Sequence, residues 1–284
     1  MTDAQFARLI ITVTVAVFGA CVGSFLNVCI YRIPRDESIV TPRSHCPHCN
    51  RLIPWYLNIP VLSWLMLLGR CRYCKGTISP RYILVEILTA VLFLGVLFQS
   101  LGFPRVLGMS VLYDWHLVPV YILFIGGLIL GTFVDFEHMI IPDSVTIGGT
   151  VAGLILSPLV PAMHNQHVWY LGLMWSAIGA LVGGGLLWLV AFLGEKAFKK
   201  EAMGMGDVKL MAAIGAFLGW KAVFFTLIVG SFIGSIVGVS LIIIGRARLQ
   251  GRLPFGPYLS LGALLWIYWG PLLMAAYLHL LGRS

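Results

Sequence analysis

Eight apolar runs divide this 284-residue chain, at 9–30, 82–100, 118–134, 144–162, 170–193, 208–219, 222–244 and 259–281. A helix rises about 1.5 Å per residue, so about 20 apolar residues cross a hydrocarbon core about 30 Å thick. All but one of the runs approach that length. The exception, 208–219, has about 12 residues, too few to span by itself. Gly219 and Trp220 either turn the chain beneath the surface there, or offset this run from the next. Only 11% of the residues are charged and the mean hydropathy is +0.94, against about 25% charge in a soluble domain. The expected fold is an all-α polytopic membrane protein with about eight transmembrane helices. The first run follows a single Arg8 and has no convincing small-residue cleavage site, so it reads as a helix that stays rather than a signal peptide.

The basic residues set the orientation. With the N-terminus outside, the loops 31–81, 135–143, 194–207 (with the adjoining Lys209) and 245–258 face inward. They hold 15 of the 19 Lys and Arg, leaving Arg8, Arg105, Lys221 and Arg283 outside. That asymmetry obeys the positive-inside rule, and fusing the two runs around Gly219 would spoil it. It predicts an inner-membrane protein with both termini in the periplasm and lipid around its helices. It also accounts for the net charge of +8 without nucleic acid, which is not expected as a partner. Gly230, Gly234 and Gly238 recur every four residues, a face that lets another helix approach closely.

The segment 31–81 is the one substantial water-facing stretch. It carries Cys46-Pro-His-Cys49 and Cys71-Arg-Tyr-Cys74, with 21 residues between the pairs. Two such pairs match a four-thiolate zinc site, each forming a knuckle around the metal. Disulfides and a reduced, metal-free loop are the alternatives; the first is disfavoured in a cytoplasmic loop. Four thiolates leave no coordination place for a reacting water, so zinc here would be structural and would organise a loop with little core of its own. His45 and His48 stand beside the ligands, and Cys21 and Cys29 read as small apolar residues of the first helix.

Eleven acids remain to be placed. Five stand at helix ends: Glu86, Asp135, Glu137, Asp143 and Asp207. An ionisable group at membrane depth is costly and points to function. Asp135 ends the run 118–134, where the helix dipole disfavours a carboxylate. Asp207 opens the next-but-two run in Gly204-Met-Gly206-Asp207. The topology brings both to the same side at similar depth. Two carboxyls held close share one proton, so that one can act as base on a water while the other polarises a carbonyl. Spacing alone leaves Asp207 and Asp143 equally readable as helix N-caps, and Glu86 as the partner of a loop cation. Gly204 and Gly206 would let a substrate backbone approach Asp207.

These residues fall into an ordered series. It runs Gly23-Ser-Phe-Leu-Asn27-Val, Pro42-Arg-Ser-His-Cys46-Pro-His-Cys49, Trp55-Tyr-Leu-Asn58-Ile-Pro60-Val-Leu-Ser-Trp64, Gly69-Arg-Cys71-Arg-Tyr-Cys74 and Ile78-Ser-Pro-Arg81-Tyr-Ile-Leu-Val-Glu86. Asp135, Ile141-Pro142-Asp143, Gly204-Met-Gly206-Asp207-Val-Lys209 and Pro254-Phe-Gly256-Pro257 follow. The series resembles the bacterial type IV prepilin leader peptidases/N-methyltransferases, membrane-embedded aspartic proteases of the GxGD type. The resemblance implies cleavage of a short basic leader from prepilins or pseudopilins, then methylation of the new N-terminal amine by S-adenosylmethionine. It implies that Asp135 and Asp207 are the catalytic pair and Cys46, Cys49, Cys71 and Cys74 the zinc ligands. It further implies a methyltransferase-associated half at 1–110 and a peptidase half at 111–284. Glu86, Glu137 and Asp143 are the acids that could receive the leader's positive charge. No glycine-rich nucleotide loop follows a strand, so the methyl donor's contacts are not located by motif. Two rival readings use the same acids or cysteines differently. One is a proton- or ion-coupled transporter; the other is a non-catalytic pilus or secretion assembly factor.

Overall fold

A computed structural model describes residues 3–101, 114–198, 203–245 and 253–280. The expected boundary near residue 110, Glu201, and the basic residues Arg105, Lys199, Lys200, Arg246, Arg248, Arg252 and Arg283 lie outside them. The described chain is helical and contains no strand, only two isolated bridges. It divides into two compact units, 1–101 and 102–284.

The first unit contains α1 (Asp3–Arg32), α2 (Leu62–Met66) and α3 (Arg81–Ser100). Small residues set the α1–α3 crossing. A Cβ on Gly19 would lie 2.7 Å from the Ala90 backbone, and one on Gly23 would lie 2.7 Å from that of Glu86. Phe18 packs beside Phe93, and the Asn27 amide donates to the Tyr82 carbonyl at 2.9 Å. The cysteine loop fills the connection between α1 and α3.

The second unit contains α4 (Leu117–His138), α5 (Asp143–Leu159), α6 (Trp169–Phe198), α7 (Met205–Ile243) and α8 (Gly256–Leu280). The α7 backbone is broken at Gly219 (φ 80, ψ 171). Residues 205–218 and 220–243 are therefore two limbs, and the doubtful short run is a limb of its own. With α7 counted twice, the described helices occupy all eight apolar runs. Among them α1, α3, α4, α6 and α7 are long and apolar enough to cross a membrane, and α5 is a shorter apolar helix. His164, in a 3-10 turn after α5, packs its Nδ1 edge against Gly219. Burial pushes its imidazole down to about 4, so it is neutral at ordinary pH.

Helix α7 is the centre of this unit and packs on α5, α6 and α8. Gly179 of α6 and Gly215 of α7 meet backbone to backbone, where neither could carry a Cβ. In the second limb, Gly230 and Gly234 face Tyr258 of α8 and Gly238 faces Leu253. The small-residue face expected there is a helix contact.

Candidate active site and metal centre

The cysteine loop is built from one turn used twice. Cys46 N–H donates to the Arg51 carbonyl (3.0 Å) and Asn50 N–H to that of Cys46 (2.8 Å). In the same way Cys71 N–H reaches Gly76 (2.8 Å) and Lys75 N–H reaches Cys71 (3.0 Å). Asn50 and Lys75, each just after a second cysteine, adopt left-handed φ angles of 54° and 59°. Each turn is closed by a bridge, His45 with Leu52 and Arg70 with Thr77. The result brings the four Sγ atoms within 4.8 Å of one another, with Cys46 and Cys74 at 3.8 Å. A tetrahedron with metal–sulfur bonds of about 2.3 Å has edges of about 3.8 Å, so the thiols stand close to closure on one metal ion. All four are free thiols rather than disulfides. The Cys74 and Tyr73 backbone N–H groups hold the Cys71 thiol down to about 6, which favours the thiolate that a metal needs. His48 packs its ring where a Cβ on Gly76 would fall, 2.7 Å from Cδ2, and belongs to the shell outside the sulfurs.

In the second unit four helix ends converge. Helix α4 stops because Met139 turns left-handed (φ 54), its N–H closing on the Asp135 carbonyl at 2.9 Å. Pro142 then forces the preceding residue out of helical geometry. This leaves Asp135 inside the last turn of α4 with 5% of its surface exposed. Asp207 lies in the first turn of α7, third after the extended N-cap Gly204, and is 9% exposed. It is therefore not the N-cap that spacing allowed. At the start of α8, Gly256 N–H donates to Asp135 Oδ2 at 3.1 Å, placing a carboxylate at a helix N-terminus where the dipole favours it. Ile141 is the wall they share, since it faces both Gly206 and Gly256.

The remaining acids divide between the two units. Asp143 is the first residue of α5, with Pro142 as N-cap, and accepts a bond from Lys209 Nζ of α7 at 2.7 Å. Glu137 is exposed in the last turn of α4. Glu86 belongs to the first unit, where its buried carboxylate accepts the Val61 N–H at 2.7 Å. Val61 has φ 62 and ψ −53, a conformation costly for a β-branched residue by about 1–3 kcal/mol. Glu86 holds that turn in place. A Cβ on Gly204 or Gly206 would meet only ordinary contacts, at 3.6 and 3.5 Å. Packing does not demand glycine at either position.

Sequence reasoning did not give Gly256 or Ile141 a role. The signal was present in Pro254-Phe-Gly256-Pro257, which marks a helix start, but the target of its first N–H depends on tertiary packing.

The bacterial peptidase A24 N-terminal domain matches residues 17–100, and the type IV leader peptidase family matches residues 122–239. A prepilin leader peptidase/N-methyltransferase of Myxococcus xanthus is 41% identical over 233 residues, covering 81% of this chain and 63% of the relative. One of Aeromonas hydrophila is 35% identical, covering 93% of this chain and 92% of its own length. An Escherichia coli relative, a type 4 prepilin-like proteins leader peptide-processing enzyme, is 36% identical and is covered over 93% of its length. No solved structure matches the chain significantly. With the matched domains in order and the Aeromonas and Escherichia relatives covered over more than nine-tenths of their length, this multi-pass inner-membrane protein belongs to the type IV leader peptidase family.

Proposed function

We propose that this protein cleaves the basic leader from prepilins or pseudopilins at the cytoplasmic face of the inner membrane, with Asp135 and Asp207 as the catalytic pair. The observation that carries this reading is their convergence. Two buried carboxyls stand on separate helices whose ends converge on Ile141, and one of the carboxyls is held by a backbone N–H. One carboxyl, ionised, takes a proton from a water whose oxygen attacks the scissile carbonyl carbon. The other, protonated, gives its proton to the carbonyl oxygen. As the diol collapses, one of its hydroxyls returns a proton to the second carboxyl, the C–N bond breaks, and the departing nitrogen carries off the proton first taken from water.

Gly204 and Gly206 leave room for the substrate backbone beside Asp207. Glu137 and Asp143, exposed at the α4–α5 turn, are suited to the leader's positive charge. Glu86 serves the Val61 turn instead. The 15-to-4 distribution of basic residues supports a cytoplasmic cysteine loop and active site and periplasmic termini. Zinc is the ion best suited to four thiolates in that loop, holding its two turns together. The relatives' names support a second reaction with S-adenosylmethionine. In it the new N-terminal amine forms a bond to the methyl carbon as the sulfur–carbon bond breaks, and the amine's proton passes to water.

The test is leader cleavage of a purified prepilin in liposomes by the wild type, Asp135→Asn and Asp207→Asn. The wild type cuts and both folded variants are inactive. Normal cutting by either variant would exclude the paired mechanism.

A further inference from the structure

Between the two metal turns lies the longest uncharged stretch of the connection from α1 to α3. From Leu52 to Gly69 there are 18 residues without Asp, Glu, Lys, Arg or His, and Arg51 and Arg70 stand at the two ends. Pro54 and Pro60 interrupt it, so it cannot cross a membrane as one helix. It folds as a 3-10 turn at Trp55–Leu57 and the short helix α2. Its apolar side chains are turned outward. Helix α2 buries none of its residues, and Trp55, Met66 and Leu68 are 82%, 82% and 81% exposed, with Leu62 and Leu65 also exposed. An outward apolar face of this extent marks an interaction surface.

The helices on either side fix its depth. Helix α3 has 20 residues, a rise of about 30 Å and no more than the hydrocarbon core requires. For α3 to cross, Arg81 must stand at the membrane boundary, and Glu86, five residues on, lies about 7 Å inside it. On α1 the matching level is Gly23, where an added Cβ would meet the Glu86 backbone, nine residues before the helix ends at Arg32. Glu86 Oε2 accepts the N–H of Val61, the N-cap of α2, at 2.7 Å. Side chains of a helix lean toward its N-terminus, so this bond holds the start of α2 just under the boundary rather than out in water.

The backbone suits that place. In an apolar surrounding each N–H needs a partner within the protein. Ile59 N–H donates to Ser63 Oγ and Ser63 N–H to the Ile59 carbonyl, both at 3.0 Å. The N–H groups of Leu65, Leu67 and Gly69 close on the carbonyls of Val61, Ser63 and Trp64 at 3.1, 3.0 and 2.9 Å. Trp55 and Tyr56 are of the types favoured where a membrane meets water, and the flanking arginines suit the phosphates found there.

We infer that residues 55–68 dip into the bilayer beside α1 and α3, with Trp55, Leu62, Leu65, Met66 and Leu68 among the outer acyl segments and Arg51 and Arg70 at the lipid phosphates. The partner is the lipid of one leaflet, the cytoplasmic one in the orientation proposed above. The two cysteine turns flank the segment and stand at the headgroups, closing the ends of the dip. The water-facing part of the connection is then smaller than the whole of 31–81.

The experiment uses the wild-type protein in nanodiscs containing a phospholipid with a photoactivatable diazirine on one acyl chain. Crosslinked peptides are mapped by mass spectrometry, and hydroxyl radicals footprint water-exposed side chains in parallel samples. Leader cleavage in the same discs reports that the protein is folded. Acyl crosslinks within 55–68 are expected. Met66 should be oxidised about tenfold or more slowly than exposed Tyr73 of the second cysteine turn, although methionine is the more reactive side chain, because its face lies among acyl chains. Met66 oxidised as fast as Tyr73 would put the face in water. Protection of Met66 without acyl crosslinks would show that protein covers it. Either result overturns the inference and leaves the proposed cleavage reaction standing.

Discussion

Gly256 and Asp135 are bound to each other's geometry. The backbone N–H of the first holds the carboxylate of the second at 3.1 Å, and a Cβ added to Gly256 would lie 2.7 Å from the same oxygen. Gly256→Ala must therefore displace Asp135, Ile141 or the start of α8. A displacement near 1 Å at a reacting group costs about 100-fold in rate. Leader cleavage by Gly256→Ala should fall by about that factor. The thermal midpoint should fall as well, because Gly256 is buried and the added methyl also crowds Ile141. A cleavage rate within a few-fold of wild type would show that Asp135 does not need this donor.

The pair should behave as one unit. Asp135→Asn and Asp207→Asn should each lower cleavage by about 10⁴-fold or more, and the double variant should be no worse than the single ones. The pH profile of kcat/KM should be bell-shaped in the wild type, since activity needs one proton shared between two carboxyls. Additive losses in the double variant would mean that the two acids act in separate steps.

Asp143 and Lys209 make opposite predictions. Their ion pair is exposed at both ends, with 64% and 39% of the side chains accessible, so its loss should change stability by less than about 1 kcal/mol. If Asp143 meets the basic leader, Lys209 competes for it. Asp143→Asn should then raise KM a few-fold with kcat held, and Lys209→Gln should lower KM. Both effects should shrink at high salt. Equal KM values in all three proteins would leave the pair a structural clasp between α5 and α7.

The cysteine centre should contain one zinc per chain by elemental analysis. Cys46→Ser or Cys74→Ser should bring that content near zero and make the 31–81 loop sensitive to protease, because folding of such a loop depends on the metal. Full protease resistance after metal removal would show that the loop packs without it.

Reporter fusions test the orientation. An alkaline phosphatase fused after residue 284 should be active in the periplasm, and one inserted in the 31–81 loop should be inactive. The reverse pattern would invert the proposed topology.

Much of this was legible in the chain before folding. Apolar length located the helices, because hydrocarbon thickness permits few alternatives. The Cys-x-x-Cys spacing located the metal turns, because two residues between ligands set the geometry of the knuckle. The break at Gly219 was visible only as a run that was too short. The bond from Gly256 to Asp135 was invisible, because it joins residues 121 positions apart through the packing of α8. Asp207 was open to a capping reading until the backbone put Gly204 at the N-cap. Glu86 looked like a partner for a cation, whereas its partner is the amide of a residue in a conformation that valine rarely adopts.

The break at Gly219 bears on the depth of Asp207. Residues 205–218 rise roughly 21 Å as a helix, against a hydrocarbon core of about 30 Å. One end of that limb is Gly219, covered by neutral His164; the other carries Asp207. Most of the limb's side chains are buried against neighbouring helices, Leu210, Met211, Ile214 and Phe217 almost completely. The limb is thus an internal post rather than an outer wall. The break at Gly219 sets the height of that post, and with it the level at which Asp207 is held.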